Sequence, residues 1–241
     1  MKFKTFAVPY ITDERMIYAG EYLASLGYER TDKIDNADFV VLPIPTKKQM
    51  FDGLDNKTVF YANGDFDGYD YNKNESFLLE NAYLTAEGAF CLFKENCDTA
   101  LYRAEILITG YGRIAQALHK ILDAAGANVT VCSRSAESES RAVFAGAKHI
   151  GFDELLKPSG YDAVFNTVPH IVFTKKELGC LKKGTKIFDL ASFPGGVDTL
   201  CAKSEGIEII DGRKLPSRYS KKSAGYLIGK TVHKIIEEDL S

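Results

Sequence analysis

The segment Ile106-Leu-Ile-Thr-Gly-Tyr-Gly-Arg-Ile-Ala-Gln-Ala-Leu118 runs an apolar strand into Gly-x-Gly-x-x-Ala and then into a helical pattern. Each small residue has a mechanical use. Gly110 permits a tight turn, Gly112 lets the backbone approach phosphate groups closely, and Ala115 lets the helix lie against its strand. The helix opens at Arg113 and Ile114, where unpaired N–H groups and the positive end of the helix dipole favour an anion. This is the pattern of a cradle for a dinucleotide pyrophosphate. A plain packing turn would use the same glycines, so the surroundings matter. Asn128-Val-Thr-Val-Cys132 reads as a second strand, it follows a helix end at Ala124-Ala-Gly126, and the separation suits one βαβ unit.

The end of the second strand separates one nucleotide from another. An Asp or Glu there would take the ribose hydroxyls of NAD and repel the extra phosphate of NADP. The chain instead reads Ser133-Arg134-Ser135. Two hydroxyls and a planar guanidinium suit a 2′-phosphate, so NADP is expected over NAD. A solvated turn with a surface arginine is the plainer alternative.

Three further segments leave strands at the end where such sheets bind ligands. Asn166-Thr167-Val168-Pro169 ends a buried strand where a nicotinamide could lie, although an ordinary polar strand exit looks the same. Asp189-Leu-Ala-Ser-Phe-Pro-Gly-Gly196 lets the backbone turn closely around a ligand that Asp189 or Ser192 could orient; a tight structural turn explains its glycines equally well. In Leu215-Pro-Ser-Arg-Tyr-Ser-Lys-Lys-Ser-Ala-Gly225, Arg218, Lys221 and Lys222 gather at the start of the last helix, where cations oppose the dipole. A bound carboxylate or phosphate would account for them, and so would a solvated loop.

The elements that must position these residues alternate. Strands are expected at Phe3 to Val8, Phe39 to Leu42 and Val59 to Tyr61, with a helix after Thr12 and Asp13 whose Tyr22, Leu23 and Leu26 face inward. Pro43-Ile-Pro45 must leave the sheet. Phe66 to Glu75 is rich in Asp, Gly, Tyr and Asn and reads as an exposed connection near a domain boundary. A helix from Ser76 to about Lys94 would present Thr85-Ala-Glu87-Gly to a cleft. Ala163 to Val168, Lys186 to Leu190 and Ile207 to Ile210 read as strands, and Thr174-Lys-Lys-Glu177 as a capping box. Ala224, Leu227, Ile228, Thr231, Val232, Ile235 and Ile236 trace one face of a final helix. The fold expected is α/β, a doubly wound parallel sheet (Rossmann type) over residues 81–241 that includes this helix, with a smaller N-terminal α/β domain over 1–80.

With 241 residues and a formal charge of −3, the chain has no basic excess to draw nucleic acid or an anionic membrane. No run approaches the roughly 20 apolar residues of a membrane span, and the first residues lack a secretory apolar core, so a cytoplasmic protein is expected. Cys91, Cys97, Cys132, Cys180 and Cys201 and the histidines His119, His149, His170 and His233 lack ligand spacing, and no metal is expected.

Taken together, Thr-Ala-Glu-Gly, Gly-Tyr-Gly-Arg-Ile-Ala, Ser-Arg-Ser, Asn-Thr-Val-Pro, Asp-Leu-Ala-Ser-Phe-Pro-Gly-Gly and Lys-Ser-Ala-Gly resemble, in order and spacing, the A subunits of dipicolinate synthase from Leu84 onward. The resemblance implies an NADP-linked oxidation of dihydrodipicolinate to dipicolinate during spore formation, and its partner would be a flavoprotein-like B subunit. A homo-oligomer acting on a small dicarboxylate is expected. There are departures. The N-terminal domain is several tens of residues shorter and lacks the family's early Gly-Gly-Asp. Near the end Ser217 replaces a glycine, Ser220-Lys221 an Ala-Pro and Ser223 a threonine, while Lys222 keeps the family's lysine.

On this resemblance Lys222, with Arg218 or Lys221, would hold a substrate carboxylate, with Thr85 and Ser192 as further contacts. Glu87 or Asp189 would be the base, and His170 is a further candidate that a structural role explains as well. The rivals are a 2-hydroxyacid or shikimate-type dehydrogenase, for the first of which no late His with a carboxylate partner is evident, and a non-catalytic NADP-binding protein that completes or regulates a partner.

Overall fold

The computed structural model describes residues 3–9, 13–44, 46, 53–64 and 66–240. The chain forms two compact units, Met1–Leu84 together with Pro216–Ser241, and Thr85–Leu215.

In the first unit the described strands are β1 (Thr5–Ala7), β2 (Glu29–Arg30), β3 (Phe39–Val41), β4 (Thr58–Tyr61) and β5 (Tyr69–Asp70), all parallel in the order β2-β1-β3-β4-β5. Side chains alternate between faces, as the pleat requires. Phe6, Phe39, Val41 and Phe60 point into one core, while Ala7, Val40, Val59 and Tyr61 point into the other. Phe39 makes ring contacts with Phe6 and Phe60 at centroid distances of 5.8 and 5.6 Å, so aromatic packing binds three neighbouring strands. Helix α1 (Arg15–Ser25) buries Leu23 and half-buries Tyr22. Asp13 accepts from the Arg15 N–H at 3.0 Å at its start; Thr12 and Pro45 lie outside the described residues.

Two expectations are corrected in this unit. The stretch from Phe66 to Glu75 is not an exposed connection: it supplies β5 and a buried Tyr71, whose hydroxyl donates to the Leu42 carbonyl at 2.9 Å. Its aromatic residues outweigh the polar ones around them, and the boundary falls later, inside α2 (Glu75–Asn96), between Leu84 and Thr85. The final helix, named α8 (Lys221–Asp239) by chain order, buries the expected face, but it packs on α1 in the first unit rather than in the dinucleotide-type unit. Gly225 and Gly229, one turn apart, permit this. A Cβ on Gly225 would stand 2.3 Å from the Arg15 carbonyl oxygen and 2.5 Å from Tyr18 Cβ, and one on Gly229 would stand 2.8 Å from the Ala19 oxygen.

The second unit contains β6 (Glu105–Thr109), α3 (Arg113–Ala124), β7 (Asn128–Cys132), α4 (Ala136–Phe144), β8 (Lys148–Ile150), β9 (Ala163–Asn166), α5 (Lys175–Leu178), β10 (Lys186–Asp189), α6 (Thr199–Glu205) and β11 (Glu208–Asp211), and ends as α7 (Leu215–Tyr219) begins. Its six strands are parallel in the order β11-β10-β9-β6-β7-β8. That order reverses direction between β6 and β9, the switch point at which doubly wound sheets open a crevice for ligands. Phe93 of α2 packs against Phe165 and Phe188 on one face, and Leu107, Val164 and Ile187 fill the other. The Thr174 box is present, with Glu177 accepting from the Thr174 N–H at 2.9 Å.

An alanine in an open helix is favoured over glycine by about 1 kcal/mol. At the α1–α8 contact the sign reverses. Gly225→Ala is expected to destabilise the chain by about 2 kcal/mol through overpacking, read as a lower urea midpoint at unchanged slope; a raised midpoint would contradict this packing.

Candidate dinucleotide site

The glycine turn after β6 has the expected mechanics. Gly110 has φ +84°, a conformation that L side chains rarely adopt, and a Cβ there would meet Thr167 Oγ1 at 2.6 Å. Gly112 is the residue before the first turn of α3, and a Cβ on it would enter open space with no atom within 4 Å. That space lies at the N-terminus of a twelve-residue helix, so the chain has left room for an anion at the favourable end of the dipole. Ala115 is fully buried. Arg113 is exposed and Ile114 half-buried at the same helix end.

Tyr111 turns the other way, into the protein, where its hydroxyl lies 2.9 Å from His119 Nδ1. Both are buried, and burial holds the His119 imidazole below its ordinary range while pushing the Tyr111 phenol up. Neutral His119 can accept a hydrogen bond from the Tyr111 hydroxyl, which ties the glycine turn to α3.

Thr109, Asn166 and Asp189 stand abreast in register on β6, β9 and β10. Thr109 Oγ1 donates to Asn166 Oδ1 at 2.6 Å, and Asn166 Nδ2 donates to Asp189 Oδ1 at 2.7 Å. The same amide holds the Val168 backbone through both its N–H (3.2 Å) and its carbonyl (3.0 Å). Asp189 also accepts from the N–H groups of Ala191 (3.3 Å) and Gly196 (3.1 Å). Thr167 Oγ1 donates to the Thr109 carbonyl at 2.7 Å. Asn166 is therefore enclosed and saturated within the protein, so its side chain is not the cofactor contact expected from the sequence. Val168 remains half-buried and Pro169 exposed.

At the end of β7, Arg134 is exposed and Ser135 caps α4, accepting from Ser138 N–H at 3.1 Å. Ser133 differs from expectation: it is buried, with its hydroxyl 2.9 Å from His149 Nε2. A cleft of about 280 Å³ opens between the ends of β7 and β9, lined by Arg134, Phe152, Leu155, Val168, His170 and Val172 among others. Its apolar side chains stand beside the polar Thr174 and Glu177 as well as the Arg134 guanidinium.

The other expected site residues are placed as follows. Thr85 is buried and Glu87 exposed on α2, and Ser192 is exposed in the turn after β10. In the first unit, Lys221 pairs with Glu14 at 2.7 Å, Lys222 lies over the Tyr226 ring at 5.4 Å and Arg218 over the Tyr219 ring at 5.3 Å. Glu14 thus accounts for one of the three cations at the start of α8. Sequence reasoning missed Thr109, His119 and His149. A threonine ending an apolar strand was the one visible signal, since the histidines' partners come from other elements.

Residues 80–191 match the family model described as D-isomer specific 2-hydroxyacid dehydrogenase, NAD binding domain. The match is to a nicotinamide dinucleotide-binding domain of the dehydrogenase type. Over 167 residues the chain is 28% identical to the A subunit of dipicolinate synthase from Bacillus subtilis (strain 168), a match covering 69% of this chain and 56% of that relative. The fold is shared with the crystal structures of the dipicolinate synthase A subunits from Bacillus subtilis (TM-score 0.83, 21% identity, 99% of this chain and 97% of that one) and from Bacillus halodurans (0.82, 20%, 98% of each). It is shared more distantly with a transhydrogenase from Sinorhizobium meliloti (0.74, 15%, 98% of this chain and 93% of that one). The resemblance read from the motifs is borne out. Among the described residues no helix is long and apolar enough to cross a membrane, and no cluster of His, Cys, Asp and Glu is placed to hold a metal.

His119 gives a pH prediction. Its folded pKa is depressed, so the unfolded chain binds more protons between that value and about 6.5, and stability is full above about pH 6.5 and falls as pH drops through this range. His119→Gln should flatten that part of a pH–stability curve measured by urea unfolding; an unchanged slope there would remove His119 as its source.

Proposed function

We propose that this chain is an NADP-linked oxidoreductase that converts dihydrodipicolinate to dipicolinate, in the manner of the dipicolinate synthase proteins it resembles. The observation that carries this reading is the glycine turn with room beside Gly112, followed by a β7 end bearing Arg134 where an NAD-type site would place a carboxylate. When bound, the nicotinamide supplies the hydride acceptor at its C4.

The chain's own residues bind, orient and move the proton. The α3 N-terminus and the Gly110–Gly112 backbone take the pyrophosphate, with Arg113 and Ile114 bordering it. Arg134 takes the 2′-phosphate through its planar fork, with Ser135 beside it, and Thr167, Val168 and Pro169 border the ring end of the dinucleotide. Lys222 and Arg218 hold substrate carboxylates, with Thr85 and Ser192 as secondary contacts. Glu87, an exposed carboxylate, removes the ring proton as hydride leaves the neighbouring carbon, and the gain of aromaticity drives the step. The setting proposed is the cytoplasm of a sporulating cell, as a homo-oligomer that works with a B-type partner.

Arg134→Ala should weaken NADPH binding about tenfold or more and NADH binding little, because only NADPH carries the extra phosphate; calorimetric titration that shows equal losses would remove the phosphate assignment. Lys222→Ala should raise the KM for dihydrodipicolinate while NADPH affinity stays as in the parent. A change confined to NADPH affinity would move Lys222 out of the substrate site. Turnover that needs a B-type partner would make the chain one part of a two-component enzyme, and binding of NADPH without turnover under either condition would make it a non-catalytic accessory protein.

A further inference from the structure

We infer that Asp189 is a positioning residue: its carboxylate fixes the hydrogen-bond polarity of the row Thr109–Asn166–Asp189, and that row holds the glycine turn in its dinucleotide-binding shape. The inference rests on the dinucleotide reading and departs from a role for Asp189 as base.

An amide such as that of Asn166 can be inserted either way round, but a carboxylate can only accept. With Asp189 Oδ1 at 2.7 Å, Nδ2 must face it, and Oδ1 must then face Thr109 and the Val168 N–H. The Val168 carbonyl, accepting from Nδ2 at 3.0 Å, favours the same orientation. Gly110 closes against Val168, which this amide holds, and against Thr167, whose hydroxyl donates to the Thr109 carbonyl at 2.7 Å: a Cβ there would lie 2.6 Å from Thr167 Oγ1 and 3.1 Å from Val168 Cγ2. On the other side, a Cβ on Gly195 would lie 2.5 Å from Asp189 Oδ2, and one on Gly196 would lie 2.1 Å from Asn166 Nδ2. Gly195 and Gly196 are therefore required by the row itself, and Gly110 by the two residues that follow Asn166. Three N–H groups aim at the Asp189 carboxylate. Both carboxylate oxygens are thus engaged by donors of the protein itself, which suits a fixed anchor better than a base.

The test removes the acceptor and then restores it. Asp189→Ala should weaken NADPH binding about tenfold at a temperature where the variant is folded, and Asp189→Asn, whose Oδ1 can still accept from Asn166 Nδ2 and the Ala191 N–H, should stay within about threefold of the parent. NADPH affinity unchanged in Asp189→Ala overturns the inference, as does Asp189→Asn binding no better than Asp189→Ala. Turnover lost in Asp189→Asn with NADPH affinity intact makes Asp189 the base and also overturns it. If the parent protein itself binds neither NADPH nor NADH, the dinucleotide reading fails first and takes this inference with it. Should Asp189→Ala not fold, Thr109→Val probes the row from its other end with the carboxylate in place: weakened NADPH binding supports the inference and unchanged affinity overturns it.

Discussion

A hydrogen-bonded row of three side chains across the carboxyl ends of β6, β9 and β10 is the constraint on which the second unit's ligand-facing edge depends. Its direction is set by chemistry: the terminal carboxylate has no proton to offer, so every amide and hydroxyl behind it must point one way. Buried polar groups at strand ends are costly when unpaired, and here each has a partner in the row or in the adjoining backbone. The consequence reaches the backbone. Gly195 and Gly196 stand against side chains of this row and Gly110 against Thr167 and Val168 beside it, so none of the three positions has room for a Cβ.

Where periodicity was strong, the sequence disclosed the elements. The apolar run at Ile106–Thr109, the alternation at Asn128–Cys132 and the Thr174–Glu177 box all lie where pattern and capping chemistry put them. Helix α4 and strand β8 were missed because the first buries only Ala142 and the second is a short edge strand with no fully buried residue, so neither carries a hydrophobic stripe. Tyr71 was hidden among Asp and Asn, although one aromatic ring and one hydroxyl with a carbonyl partner are enough to draw a polar stretch inward.

The candidate site was legible in its backbone and less so in its side chains. Glycine turns announce themselves because few other residues can make them. The side-chain roles depended on partners distant in the chain: His149 occupies the hydroxyl of Ser133, Glu14 pairs with Lys221, and Thr109 and Asp189 saturate Asn166. Each of those polar residues looked available in the sequence. Whether a hydroxyl, amide or ammonium is free to meet a ligand is decided by which neighbour reaches it first, and that is tertiary information.

The assignment of α8 to the first unit means that this unit is assembled from both ends of the chain, whereas Thr85–Leu215 is one uninterrupted stretch. On the ribosome the uninterrupted part can close its sheet as soon as it emerges. The earlier-made part must wait for the last helix before its aromatic core is covered. Synthesis order and completion order are thus inverted, and the interval in which Phe6, Phe39 and Phe60 lack that cover is the time taken to translate everything between.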